Sequence, residues 1–154
     1  MYLDGQNMFD SNRALSGMAF GATYPSTNGI DLNSQTTDQL GNTGSIVKDP
    51  HRGLIGELFA QITATATSGG APTIVLNVIQ SAASDLSSPT ILASTSAIAL
   101  ATLVAGYRFR IELPQGVTQR YLGVSYTIAT ANYTGGTIST GFVMHEQSAP
   151  NSFA

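Results

Sequence analysis

Between residues 58 and 67, Leu58, Ala60, Ile62, Ala64 and Ala66 fall on one phase of a two-residue repeat, and Phe59, Gln61, Thr63, Thr65 and Thr67 on the other. Successive strand side chains point to opposite faces, and β-branched threonines suit a pleated surface, so this pattern predicts a strand. After a Gly69-Gly70 turn the alternation returns over 73–80, where Ile74, Leu76 and Val78 oppose Val75, Asn77 and Ile79. It is clearest over 107–113, with Tyr107, Phe109, Ile111 and Leu113 predicted inward and Arg108, Arg110 and Glu112 outward, before Pro114-Gln115-Gly116 breaks it. Residues 121–129 and 137–144 read as two further strands joined through Asn132, Gly135 and Gly136. Residues 81–89 read as a loop, and 90–101, small and apolar around Ile91, Leu92, Ile98 and Leu100, fit either a strand pair or a short helix. About seven short strands with frequent turn signals predict an all-β jelly roll or β-sandwich. Charged residues in the Arg108, Arg110, Glu112 row are expected to form a solvated or edge-protecting face.

Ahead of these strands the pattern is less regular. Residues 1–25 mix apolar anchors (Tyr2, Leu3, Met8, Phe9, Leu15, Met18, Phe20) with Asp4, Asp10 and Arg13, interrupted by Gly5, Gly17 and Gly21. With neither period present, they are expected to form an extended N-terminal arm with one helical turn after Asp10-Ser11-Asn12, leaving 26–154 as a single sandwich domain. Asn28-Gly29-Ile30-Asp31-Leu32 is a short strand candidate, and the polar run from Asn33 to Ser45, which overlaps the stretch 35–53, is expected to be a contact or flexible loop.

Composition narrows the function classes. The chain has 154 residues, enough to bury roughly two-thirds of its unfolded surface in one domain. Only 10% of residues are charged, against roughly 25% in ordinary soluble domains, and the hydrophilic share falls to Ser, Thr, Asn, Gln and Gly. Such a surface is cheap to desolvate against a partner, because no strongly hydrated ion need be stripped. A net charge of −3 with scattered basic residues argues against nucleic acid, whose phosphates require clustered Lys and Arg. No stretch approaches the length of a membrane span, and Met1-Tyr2-Leu3-Asp4 does not open a secretory signal, so synthesis in a cytoplasm is expected.

Chemistry-bearing motifs are sparse. With no cysteine there is neither a thiolate metal site nor a cysteine nucleophile. His51 and His145 lie in different regions without a second ligand at metal spacing, so no metal or other cofactor is expected. Asp49-Pro50-His51-Arg52 reads as a solvated turn, and Gly123-Val124-Ser125-Tyr126-Thr127 lacks the second glycine of a nucleophile elbow. Lys48, the sole lysine, belongs to no phosphate loop. No enzymatic role is expected.

The order of several short motifs resembles the Bbp16-like family of bacteriophage capsid cement proteins. These are Met1-Tyr2-Leu3-Asp4 with Met8-Phe9-Asp10-Ser11, then Ser26-Thr27-Asn28-Gly29-Ile30-Asp31-Leu32, Gly56-Glu57-Leu58 and Ala71-Pro72-Thr73-Ile74-Val75. Leu113-Pro114-Gln115-Gly116, Arg120-Tyr121-Leu122-Gly123-Val124-Ser125-Tyr126 and Thr137-Ile138-Ser139-Thr140-Gly141-Phe142 complete it. The resemblance spans nearly the whole chain. It implies a jelly roll on the exterior of a virion capsid, made in the bacterial host cytoplasm. Its partner would be the major capsid protein, whose adjacent subunits it clamps as a homodimer or a trimer, with no catalytic residue. On that reading Tyr2, Leu3, Met8, Phe9 and Phe153 are candidate capsid or oligomer contacts; the alternative is that these side chains cover the open ends of the sandwich. The rival readings are a carbohydrate-binding β-sandwich, which would want exposed aromatic platforms in a chain that has no tryptophan, a small hydrolase with distant carboxylates, and another virion part such as a head–tail or fibre component.

Overall fold

A computed structural model describes residues 8–37, 43–47, 56–113 and 116–144. Twelve strands form among them: β1 (Met8–Ala14), β2 (Thr23–Pro25), β3 (Ile30–Asp31), β4 (Asn33–Thr37), β5 (Thr43–Val47), β6 (Gly56–Thr67), β7 (Thr73–Ser81), β8 (Thr90–Ser94), β9 (Ile98–Ala99), β10 (Arg108–Glu112), β11 (Tyr121–Ala129) and β12 (Gly135–Met144). The only helical pieces described are single 3-10 turns at Leu15–Gly17 and Leu100–Thr102. One sheet runs β1-β12-β6-β10; the other runs β2-β11-β7-β8, with β3 sharing the β2 edge and β9 the β8 edge. Every pairing is antiparallel.

The pairings are nested. β7 pairs with β8, β6 around them with β10, β2 and β3 with β11, and β1 with β12. With β2 and β3 taken as one position, and β8 and β9 as another, the sheets read 1-8-3-6 and 2-7-4-5. That is a chain folded as one long hairpin and rolled into two layers, the jelly roll. The β4–β5 hairpin is inserted between the second and third positions, so part of the segment expected as a contact or flexible loop is paired strand, Asn33 facing Val47 through Thr37 facing Thr43.

Alternation places the core. Leu122, Val124, Tyr126 and Ile128 of β11 and Ile74, Leu76 and Val78 of β7 face Leu58, Ala60 and Ile62 of β6 and Ile138 of β12. Leu15, Met18, Leu103 and Tyr133 close one end, and Leu32, Leu113 and Val117 the other. Ala64 shares its phase with buried Ala60 and Ile62 yet is exposed, because the β6–β12 ladder slips by a residue on either side of the Thr137–Ala64 pair. Phe59, on the opposite phase from Leu58 and Ala60, is outward and still buried, with the Arg108 guanidinium 6.0 Å from its ring centre.

Residues 8–25 are not a free arm. β1 is the edge of one sheet and β2 lies at the edge of the other, so the expected boundary at residue 25 cuts through the sandwich. Phe9 and Leu15 supply the apolar side chains that hold this segment down.

A second, smaller apolar contact lies outside the core, where residues 82–89 fold over the outer face of the β11 sheet. Leu86, 2% exposed, has φ +56 and sits against Gly29 and Gly123. A Cβ on Gly123 would meet Leu86 Cδ1 at 2.4 Å, so the absence of a side chain there makes the socket. Ser81 Oγ fixes the loop, donating to Ser87 O at 2.8 Å and accepting from Ala83 N at 3.1 Å.

Candidate interaction surfaces

Among the described residues Asp10 is the charged group most deeply set in the fold, 2% exposed on β1. It accepts from Tyr126 Oη at 2.7 Å, Thr27 N at 3.0 Å and Arg13 Nη1 at 3.2 Å. Tyr126 Oη also pairs with Thr140 Oγ1 at 2.7 Å, and the Arg13 guanidinium lies 5.2 Å from the Tyr126 ring centre. This network joins β1 and β12 of one sheet to β11 of the other. A fully partnered cluster rigidifies a core; it offers no free nucleophile or base. Burial, followed by the nearby Asp10 charge, pushes the Tyr126 phenol well above its usual value of 10.0. Burial also raises Tyr133, to about 12. Below about pH 10, Tyr126 is protonated in both folded and unfolded chains and adds no slope. Above it the unfolded chain loses the proton while the fold retains it, so stability falls as pH rises, by about 1.4 kcal/mol per unit, until the folded phenol titrates. Urea melts at about pH 9, 10 and 11 are expected to show this decline, shallower in Tyr126→Phe; parallel slopes would exclude Tyr126 as its source.

The outer face of the β11 sheet carries an uncharged polar row. Asn77 Nδ2 donates to Ser125 Oγ and Thr127 Oγ1, both at 3.2 Å, and Ser94 Oγ donates to Asn77 Oδ1 at 2.7 Å. Thr127 Oγ1 in turn pairs with Thr23 Oγ1 at 3.0 Å, so the row crosses β2, β11, β7 and β8. Its valences are largely met within the fold, so it stabilises the sheet more than it offers itself to a partner.

One end of the sandwich combines exposed apolar side chains with an absence of charge. The registers bring four connections there: residues 15–22, 68–72, 100–107 and 130–134. Phe20 N donates to Asn132 Oδ1 at 2.7 Å and Ser68 Oγ to Asn132 O at 2.7 Å, knitting three of them together. Ala105 N donates to Thr65 Oγ1 at 3.0 Å, fixing the fourth against β6. None of the four contains Asp, Glu, Lys, Arg or His. Phe20 is 59% and Val104 48% exposed there. Thr130 is held at φ +76, a conformation that β-branched residues rarely adopt. The described charges lie elsewhere, as with Arg120 and Asp31 in a bidentate pair (2.9 and 2.8 Å) toward the opposite end, and Arg110 donating to Glu57 at 3.2 Å on the outer face of the β6 sheet.

A sequence profile of Bbp16 matches residues 15–142. The chain belongs to the Bbp16 family. No curated protein matches it. Membership in Bbp16 points to a phage-related protein, and the matched segment contains all four connections of the uncharged end.

Of the side chains singled out from this Bbp16-family sequence, Tyr2, Leu3 and Phe153 lie outside the described residues, as do His51, His145 and the Asp49-Pro50-His51-Arg52 turn. Met8 is half-buried on β1 opposite Gly141, and Phe9 is 1% exposed in the core. Phe9 is therefore unavailable to a partner while the domain stays folded; it packs inside the sandwich. Removing residues 1–10 would take Phe9 and Asp10 with it, so that deletion does not separate binding from folding. Phe20 and Val104 were not proposed as contacts from sequence. Phe20 stood out only as an apolar residue between glycines, and Val104 had no distinguishing pattern. Among the described residues no three His, Asp or Glu gather as a metal site, and no helix is long and apolar enough to cross a membrane.

Proposed function

We propose that this chain is a structural virion protein that binds the outer surface of a phage capsid and clamps adjacent major capsid protein subunits, as a homodimer or trimer and without catalysis or cofactor. The observation that carries the reading is the charge-free end of the jelly roll, with Phe20 and Val104 exposed on connections inside the Bbp16 match. A shell strained by packaged DNA gives way at the seams between subunits. A ligand bound across a seam adds free energy only to the assembled state and so shifts the assembly equilibrium. A two-layer β body tied internally by the Asp10 network has little order left to lose on docking, which keeps more of the contact energy as affinity. A neutral surface meets a neutral partner without stripping hydrated charges, and its binding is insensitive to salt.

Phe20→Asp and Val104→Asp are the direct test. Both side chains are about half in solvent and lie outside the buried core, so melting temperatures are expected to stay near wild type. Truncated aromatic anchors at interface centres cost about 2 kcal/mol or more, so retention on capsids is expected to fall roughly thirtyfold for Phe20→Asp. Wild-type retention is expected to be equal at about 0.1 M and 1 M salt. Retention of both variants at the wild-type level would remove this end from the interface.

A further inference from the structure

The sheet edges are not guarded alike. The β1 edge carries Asp10 and Arg13 and two register slips. The β2–β3 edge carries Pro25 and Asp31, and β10 carries Arg108, Arg110 and Glu112. Charges, proline and bulges are the devices by which proteins stop other strands from adding to an edge. Of the edges of the two sandwich sheets among the described residues, the one left, residues 90–100, has no charge, no proline and no glycine. It follows β7 throughout: Thr90 faces Gln80, Ser94 faces Asn77, Thr95 N donates to Leu76 O at 2.9 Å, Ile98 faces Ile74, and Leu100 N donates to Pro72 O at 3.2 Å. Its register slips twice, at Leu92 and again between Thr95 and Ile98, so it shares bulges with β1 and lacks only the charges and proline that the other edges carry. Ile91 is 56% exposed, and Ser94, Ser96, Ala97 and Ala99 are exposed beside it.

We propose that this edge takes up an extended, uncharged segment of a major capsid protein subunit as an added strand, an inference that rests on the capsid reading above. What an open edge offers is a row of backbone N–H and C=O groups, and an extended backbone is the chemistry that satisfies them in series. The flanking side chains are small and neutral apart from Ile91, so a charged segment would be desolvated there without a partner, whereas an uncharged one places an apolar residue beside Ile91. The edge also runs directly into residues 100–107, where Val104 stands on the charge-free end, so a shell subunit seated on that end lies at the end of the edge.

The test is amide hydrogen exchange of the full chain, free at two concentrations and bound to capsids assembled without it. Docking is expected to slow exchange across residues 90–99 at least tenfold. Ile91→Lys combined with Ala97→Lys, which places the usual edge guard at two exposed positions, is expected to keep the wild-type melt and reduce capsid retention at least tenfold. Wild-type retention with unchanged exchange at 90–99 overturns strand addition and leaves the capsid reading standing. Absence of wild type from the capsids overturns both. Protection that grows with concentration in the free protein gives the edge to a second copy and overturns the proposal, as does full retention of a folded double-lysine variant.

Discussion

Replacing Gly136 with alanine is expected to destabilise the domain by roughly 3–5 kcal/mol and to lower its melting temperature by about ten degrees. Gly136 has φ +106, and an added Cβ would sit 2.6 Å from Ala66 Cα and 3.1 Å from Ala66 N. Both clashing atoms are backbone, in the strand at the centre of the β1-β12-β6-β10 sheet, so no rotamer change relieves them. The ladder already slips twice here, between Gly135 and Thr137 and between Thr137 and Ile138, and Gly136 lets β12 pass close to the displaced β6. Gly69→Ala is the matched control, because nothing lies within 4 Å of its added Cβ and its φ is not left-handed. Its effect is expected to stay within about 0.5 kcal/mol. A Gly136→Ala melt close to that of Gly69→Ala would mean the slip does not depend on a missing side chain.

The contrast between these two glycines shows what was legible in the sequence. Both belong to Gly-Gly pairs that read as turn residues in the sequence, yet Gly136 lies inside β12, where only the three-dimensional slip sets it apart. β10 was visible because it turns one face inward and leaves the other to Arg108, Arg110 and Glu112; β6, β7 and β11 were visible because apolar side chains recur on one two-residue phase, although much of their other face is covered as well. β1 was not, for three physical reasons. Its Asp10 and Arg13 are partnered inside the fold, Asn12 adopts φ +50, and two register slips break the two-residue period. β4 stayed hidden because Asn33-Ser34-Gln35-Thr36-Thr37 contains no apolar residue, and β5 because its Ile46 and Val47 are adjacent and set no two-residue period. The charge-free end eluded the sequence differently. Its four connections are far apart in the chain, and each alone reads as an ordinary turn; their shared neutrality emerges once nesting brings them together.

The same nesting explains why the second large effect is expected at Asp10, a residue the periodicity placed in an arm. Asp10→Ala removes the common acceptor of Tyr126 Oη, Thr27 N and Arg13 Nη1. Deleting one member of a buried charged network leaves the others desolvated without compensation, and the expected loss is about 3–5 kcal/mol in urea unfolding. Tyr126→Phe, which keeps the ring beneath Arg13 and loses only the hydroxyl, is expected to lose about 1.5–3 kcal/mol. Because the two groups share a 2.7 Å hydrogen bond, the double variant is expected to fall short of the sum by at least about 1 kcal/mol. Asp10 sits on an edge strand, so its loss acts first on β1: exchange of the β1 amides should accelerate before that of β7 or β11, which lie inside the other sheet. This bears on the capsid reading, since a clamp whose edge strand frays loses rigidity without losing Phe20 or Val104. Asp10→Ala is therefore expected to weaken capsid retention less than Phe20→Asp while weakening the fold far more. An Asp10→Ala variant within 1 kcal/mol of wild type, or one additive with Tyr126→Phe, would show that the two sheets are held together by apolar packing alone.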